Sequence, residues 1–259
     1  DAGKNEVSGY IAGLNAEGLA ASSVARRLSA VRQFHRFLVA DAIKGDDPTR
    51  IIVSPKTHRA LPKVMSVEEV DRLLARAEAD AQTGDEKAIR LYVLVELLYA
   101  TGMRVSELVA LERKALTGDS SFLTISGKGG KERLVPLNDR ARDALKAWAE
   151  QTERGKYLFP ANGAEGHLSR QVFARELKQL ARDAGLSAEM VSPHVLRHAF
   201  ASHLLQHGAD LRVVQMLLGH SDISTTQIYT HVLDDHLRKL LETSHPLSER
   251  SEERRVGKE

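Results

Sequence analysis

Residues 122–137 read Phe-Leu-Thr-Ile-Ser-Gly-Lys-Gly-Gly-Lys-Glu-Arg-Leu-Val-Pro-Leu. Two strand-like runs, 122–126 and 131–137, flank Gly127-Lys128-Gly129-Gly130, and glycines between apolar, β-branched arms predict a β-hairpin. The loop resembles a phosphate-binding Walker loop only superficially: the required Gly-Lys-Ser/Thr spacing is absent, and a strand follows where a helix should. Read by itself it is a charged turn that keeps a hairpin soluble, or a tip that carries Lys128 outward.

Everything around the hairpin reads as helix. Ser66-Val67-Glu68-Glu69 is a capping box opening a helix through about Ala79. Residues 87–99 are apolar on nearly every side, which predicts a deeply buried helix. Thr101-Gly102 breaks it, and a new helix starts near Arg104. Further helices are expected at 138–152, 169–184 (closed by Gly185), 193–207, 210–218 (closed by Gly219) and 224–242. The class is mainly α with one small antiparallel sheet.

Before residue 56 the pattern is separate. Val24, Leu28, Val31, Phe34 and Leu38 fall at helical spacing, with Ser22-Ser23 as the expected N-cap. Residues 5–17 are a weaker helix, interrupted by Gly9 and Gly13. Between Asp46 and Pro62 lie three of the chain's seven prolines, Pro48, Pro55 and Pro62, as in an extended linker. The expected organisation is a partial N-terminal helical domain (1–53), a linker (54–62), a catalytic domain (63–248) and a disordered, non-native tail (249–259). Residue 1 is Asp, not Met, and the first domain is expected to be truncated.

Composition excludes several classes. With no cysteine among 259 residues there is no disulfide scaffold, no Cys-ligated zinc and no cysteine nucleophile. No run approaches the ~18 apolar residues of a membrane span, and no signal peptide opens the chain, so a cytoplasmic protein is expected. The net charge of +2 argues weakly against a polyanionic partner. Its distribution argues otherwise: residues 22–40 hold Arg26, Arg27, Arg32 and Arg36 and no acid, and Lys128, Lys131 and Arg133 share one hairpin.

Four constellations remain, each with a plain structural alternative. Ser192-Pro193 opens a helix that places His194 and Arg197 three residues apart near its positive end, suited to an anion; the alternative is a capped surface helix. Arg104 early in a helix opposes the dipole, with Glu107 in reach to hold it; the alternative is a surface ion pair. His220 sits on a turn after Gly219, and Tyr229 follows on the next helix, where a tyrosine is ordinarily core packing. The pairs His194/His198 and His203/His207 have zinc-compatible spacing, but no His-Glu-x-x-His motif accompanies them, and no metal is expected.

Taken in order, 101–108 (TGMRVSEL), the hairpin 127–137, His194-x-x-Arg197-His198 and Leu217-Leu218-Gly219-His220 followed by Tyr229-Thr230-His231 resemble the tyrosine recombinase family. They are most similar to its bacterial XerC/XerD branch, and the run 208–231 leans to the XerD side. The resemblance implies a fold: a two-domain DNA clamp with an N-terminal core-binding (SAM-like) helical domain and a mixed α/β catalytic domain. It also implies chemistry that needs no metal, cofactor or ATP. Tyr229 would attack a phosphodiester to give a 3′-phosphotyrosyl link, Arg104 and Arg197 would clamp the phosphate, and Lys128 would protonate the leaving oxygen. His194 would accept the tyrosine proton or orient the phosphate, His220 would donate to it, and Glu107 would support Arg104. Arg26, Arg32, Arg36, Lys131 and Arg133 are the expected DNA contacts.

The implied partners are a double-stranded recombination site, a homo- or hetero-tetramer with a second Xer-type recombinase, and a septal DNA translocase, with no membrane. Helix 232–242 would be exchanged with a neighbour, and the role would be resolving chromosome dimers at cell division. The alternatives are a phage or plasmid integrase, a type IB topoisomerase and a non-catalytic DNA-binding module.

Overall fold

An α-helix leaves its last carbonyls without partners, so whatever meets the helix C-termini matters to the whole fold. The computed structural model describes residues 2–55, 64–116, 121–126, 132–152 and 155–219. Two compact units emerge, Asp1–Pro62 and Lys63–Glu259.

In the first unit, α1 (Lys4–Ala16) and α2 (Ala21–Ala40) pair through Val7, Ile11, Leu14, Val24 and Leu28. Gly9 and Gly13 do not interrupt α1, because the buried ridge at i, i+4 and i+7 lies elsewhere on the helix. Two expectations for α2 need correcting. Its N-cap is Ala20 with no side-chain cap, so Ser22 and Ser23 lie inside the first turn. Phe34 is 57% exposed, and His35 is buried in its place. A stripe through 24, 28 and 31 continues to 35 and 38 by the same four-then-three steps, which leaves 34 to one side. Arg32 donates to the Ile52 carbonyl and to Ser54 Oγ, tying the following segment back onto α2.

The second unit contains α3 (Val67–Ala81), α4 (Glu86–Thr101), α5 (Val105–Val109), β1 (Phe122–Ser126), β2 (Glu132–Pro136), α6 (Asp139–Gln151), α7 (Arg170–Asp183), α8 (Pro193–Gln206) and α9 (Leu211–Leu217). Its mostly helical class and small two-stranded sheet agree with the sequence reading. β1 and β2 pair antiparallel, from Phe122 opposite Pro136 to Ser126 opposite Glu132. Leu123, Ile125 and Val135 turn into the core. The caps are local and legible: Ser66, Asp85, Asn138, Ser169, Ser192 and Asp210 each accept a backbone N–H in the first turn. No described helix is long and apolar enough to cross a membrane.

Helix α4 is the spine: every residue from Val93 to Thr101 is buried, and it packs against α3, α5, α6, α7 and α8. Two polar devices fix it. Tyr99 Oη lies 2.9 Å from His203 Nδ1, and His203 Nε2 lies 2.9 Å from the Met65 carbonyl. The carbonyl can only accept, so the ring proton sits on Nε2 and Tyr99 donates to Nδ1. Glu96 is fully buried, 3.2 Å from Arg140 Nε on α6. Burial outweighs the attraction of Arg140 and pushes its carboxyl up to about 7, with Glu78 and Asp71 nearby acting in the same direction as burial.

Gly102 ends α4 in the left-handed conformation, φ 58°. A Cβ there would lie 2.2 Å from Phe200 Cδ1 on α8. The close crossing of the α4 end and α8 therefore requires glycine twice, for its backbone and for its missing side chain.

Gly102→Ala is expected to lower unfolding free energy by about 2–4 kcal/mol in urea titrations; an unchanged midpoint would remove the close-approach argument. Glu96 binds its proton more tightly folded than unfolded, so its contribution is fully present below the ordinary carboxylate range and lost as pH rises through about 7. Glu96→Gln should therefore gain stability relative to the parent between pH 4.5 and 8, by up to about 3 kcal/mol. A pH-independent difference would show that Glu96 is not held neutral.

Candidate active site

The carbonyl ends of α4 and α9 converge on Arg197. This α8 residue donates through Nη1 to the Gly102 carbonyl and through Nη2 to the Leu218 carbonyl at 2.7 Å. Both carbonyls cap helices, so the guanidinium satisfies orphan acceptors at the negative ends of two helices. Ser192 and Pro193 start α8 one turn earlier, which sets the direction in which Arg197 projects.

Beside it, Arg104 is the N-cap residue of α5, in extended conformation. Glu107, at the third position of that short helix, accepts the Arg104 backbone N–H at 2.8 Å and its Nη1 at 3.0 Å. Arg104 Nη2 reaches the Gly219 carbonyl at 3.2 Å. Carrying the dipole's wrong charge, Arg104 is thus compensated by Glu107 and by a carbonyl from another element. Its side chain stays 44% exposed, whereas Glu107 is only 8% exposed.

Glu107 is also gripped from the opposite side. Arg133 on β2 donates Nη1 to Oε1 at 3.1 Å and Nη2 to Oε2 at 2.8 Å, a bidentate fork. Burial would raise the Glu107 carboxyl. The Arg133 hydrogen bonds, the Arg104 N–H and the Arg104 side chain outweigh it and hold the group below its usual range. Two guanidiniums thus grip the carboxylate and Arg197 stands within its electrostatic reach, leaving the cluster a surplus of two positive charges. The strain appears on Arg197, which burial, then the charge of Arg104, lowers to about 10. A half-buried surplus of cations with the Arg104 side chain exposed has the charge suited to an anion.

His194 and His198, one turn apart on α8, bring their Nε2 atoms to 2.9 Å with rings edge to face. One ring donates and the other accepts, so the pair cannot carry protons on both Nε2 atoms. Burial, then His194 and Arg197, lowers the His198 pKa. Of the zinc-compatible pairs, His203 has both ring nitrogens engaged by Tyr99 and Met65, and no group of three metal-ligating side chains occurs among the described residues.

The structure thus unites Arg104, Arg197 and Glu107, and places His194 one turn from Arg197. Lys128, Lys131, His220, Tyr229 and helix 232–242 lie outside the described residues. Gly219, directly before His220, is held by the Arg104 contact. Among the expected DNA contacts, Arg26 and Arg36 are exposed on α2, Arg32 is engaged with Ile52 and Ser54, and Arg133 is turned inward onto Glu107. Sequence reasoning missed the last point, together with His198 and Gly102. Glu107 and Arg133 stand 26 residues apart on different elements, so the fork leaves no local signal, whereas the His194/His198 spacing is visible in the sequence as a metal-compatible pair.

The helical unit with its small two-stranded sheet gathers a cluster of cations at helix ends. Residues 63–236 match the profile of the phage integrase family, and residues 1–42 match the phage integrase N-terminal SAM-like domain. The chain belongs to this family, that of the tyrosine recombinases. It is 54% identical over 258 residues to the tyrosine recombinase XerD of Rhizobium meliloti, covering 97% of this chain and 83% of that protein. The XerD of Brucella suis is 57% identical over 245 residues, covering 90% of this chain and 79% of the relative. Among solved structures, XerH site-specific recombinase bound to its difH substrate in a pre-cleavage complex has a TM-score of 0.67 and 25% identity, covering 91% of this chain and 69% of that one.

Glu107→Gln would leave three guanidiniums near a neutral amide. Its expected cost is about 2–4 kcal/mol of stability, part of it recovered at high ionic strength. Thermal unfolding across a salt series tests this, and equal stability at every salt concentration would contradict the charge balance.

Proposed function

We propose that this site-specific tyrosine recombinase cuts and rejoins DNA through Tyr229, with Arg104 and Arg197 holding the scissile phosphate. The supporting observation is the surplus positive charge of the Arg104–Glu107–Arg133–Arg197 cluster at the ends of α4 and α9. The Tyr229 oxygen attacks phosphorus and the bond to the 5′-oxygen breaks. The tyrosine proton leaves to His194, or to a group His194 orients. Lys128 supplies a proton to the departing 5′-oxygen, which leaves as a hydroxyl, and His220 donates to a non-bridging oxygen. The 3′-phosphotyrosyl ester conserves the bond, so attack by another 5′-hydroxyl rejoins a strand without an external energy source.

Arg104 and Arg197 suit the transition state for different reasons. Arg197 is fixed by two carbonyls and needs no reorganisation, while the outer edge of Arg104 is the more exposed. Prepositioned donors of this kind act mainly on charge that develops during reaction.

A DNA partner is supported by the similarity to the XerH site-specific recombinase solved bound to its difH substrate. The finer reading is a tetramer containing a second Xer-type recombinase, with helix 232–242 exchanged between neighbours and a septal DNA translocase as an accessory partner. It would act in the cytoplasm in chromosome segregation, resolving chromosome dimers. High identity to XerD proteins supports that role over a mobile-element integrase.

A nicked suicide duplex tests the assignment. The parent should form an SDS-stable protein–DNA adduct, and Tyr229→Phe should bind the duplex yet form none. Arg104→Ala and Arg197→Ala should cleave at least about 10²–10³-fold more slowly. An adduct in the Phe variant would displace Tyr229 as nucleophile; undiminished cleavage in both Arg variants would remove the clamp.

A further inference from the structure

We infer that Arg133 is a positioning residue for the phosphate clamp, not a DNA contact. The inference rests on the proposed role of Arg104. Both Nη groups of Arg133 are committed to Glu107, one to each carboxylate oxygen, and its side chain is 16% exposed against 44% for Arg104. The same Glu107 oxygens receive the Arg104 side chain and backbone N–H. Glu107 is thus a shared pivot with Arg133 as its inner anchor and Arg104 as its outer, working arm.

A second contact extends the role. Gly219 has φ 65°, and a Cβ there would lie 3.1 Å from Arg133 Cζ and Nη1 and 3.2 Å from Nε. The guanidinium therefore faces the side of Gly219 where a side chain would stand, and the Gly219 carbonyl receives Arg104. One side chain from β2 thus holds the carboxylate at the start of α5 and stands beside the glycine that follows α9. A planar, bidentate group is needed for both contacts; a lysine ammonium can meet only one carboxylate geometry at a time and offers no flat face.

A phosphate contact and a positioning role differ in what they move. Removing a phosphate contact weakens DNA binding and reduces the slope of log K against log salt by about one. Removing a brace leaves the binding charge count alone and slows the chemical step. Binding titrations across a salt series, paired with single-turnover cleavage of the suicide duplex at saturating protein, separate them.

Arg133→Ala is expected to cleave about 10–100-fold more slowly, with affinity and salt slope near the parent's. Arg133→Lys, which keeps the charge and most of the stem, should also cleave more slowly and should carry the test if the alanine variant does not fold. A reduced salt slope with undiminished saturated cleavage would overturn the inference, as would no change in either. A parent protein that binds the duplex but forms no adduct would instead sink the recombinase mechanism. Unfolding of Arg133→Ala, Glu107→Ala and the double variant would still decide the brace. The double variant should be no less stable than the weaker single variant, and additive losses would show no fork.

Discussion

Three guanidiniums near one carboxylate cannot be held together by the carboxylate alone. Glu107 neutralises one of the charges, and the remaining two are supported by carbonyl dipoles at the ends of α4 and α9 and at Gly219. Those carbonyls are available because helices cannot satisfy their own C-termini. The cluster of positive charge is therefore a product of where helices stop. Gly102 and Gly219 stop them, each in the left-handed region; at Gly102 the Phe200 ring leaves no room for a Cβ, and at Gly219 a Cβ would sit tightly against Arg133.

The same constraint organises the core. Helix α4 can be buried along its C-terminal half because its neighbours cover it on all sides, and its polar groups are answered internally by His203 and Arg140. A rigid spine delivers the Gly102 carbonyl to Arg197 at a fixed place. Enzymes that act by placing charge near a reacting phosphate depend on such fixation, since a displacement of about 1 Å can cost roughly 10²-fold in rate. Stability and chemistry meet at the α4–α8 crossing.

Much of this was legible in the chain. The hairpin, the Ser66 capping box, the Ser192-Pro193 start and the buried 87–99 helix all follow from short-range rules. Arg104 stood out because a cation at a helix start conflicts with the dipole, and Glu107 was within reach of it. The misses share a cause. Arg133 and Glu107 are 26 residues apart, and Gly102 meets Phe200 from nearly a hundred residues away, so no periodicity registers them. Phe34 and His35 are adjacent, and a five-position stripe tolerates a one-residue drift; only tertiary packing selects His35 as the buried one.

In the proposed mechanism the surplus positive charge of this cluster receives the scissile phosphate. A crystal structure of the protein on an uncleaved recombination site would show where that phosphate binds. The predicted result is non-bridging phosphate oxygens about 2.7–3.1 Å from the guanidiniums of both Arg104 and Arg197, with Glu107 still forked to Arg133. A scissile phosphate bound elsewhere, with the cluster unengaged, would contradict the account.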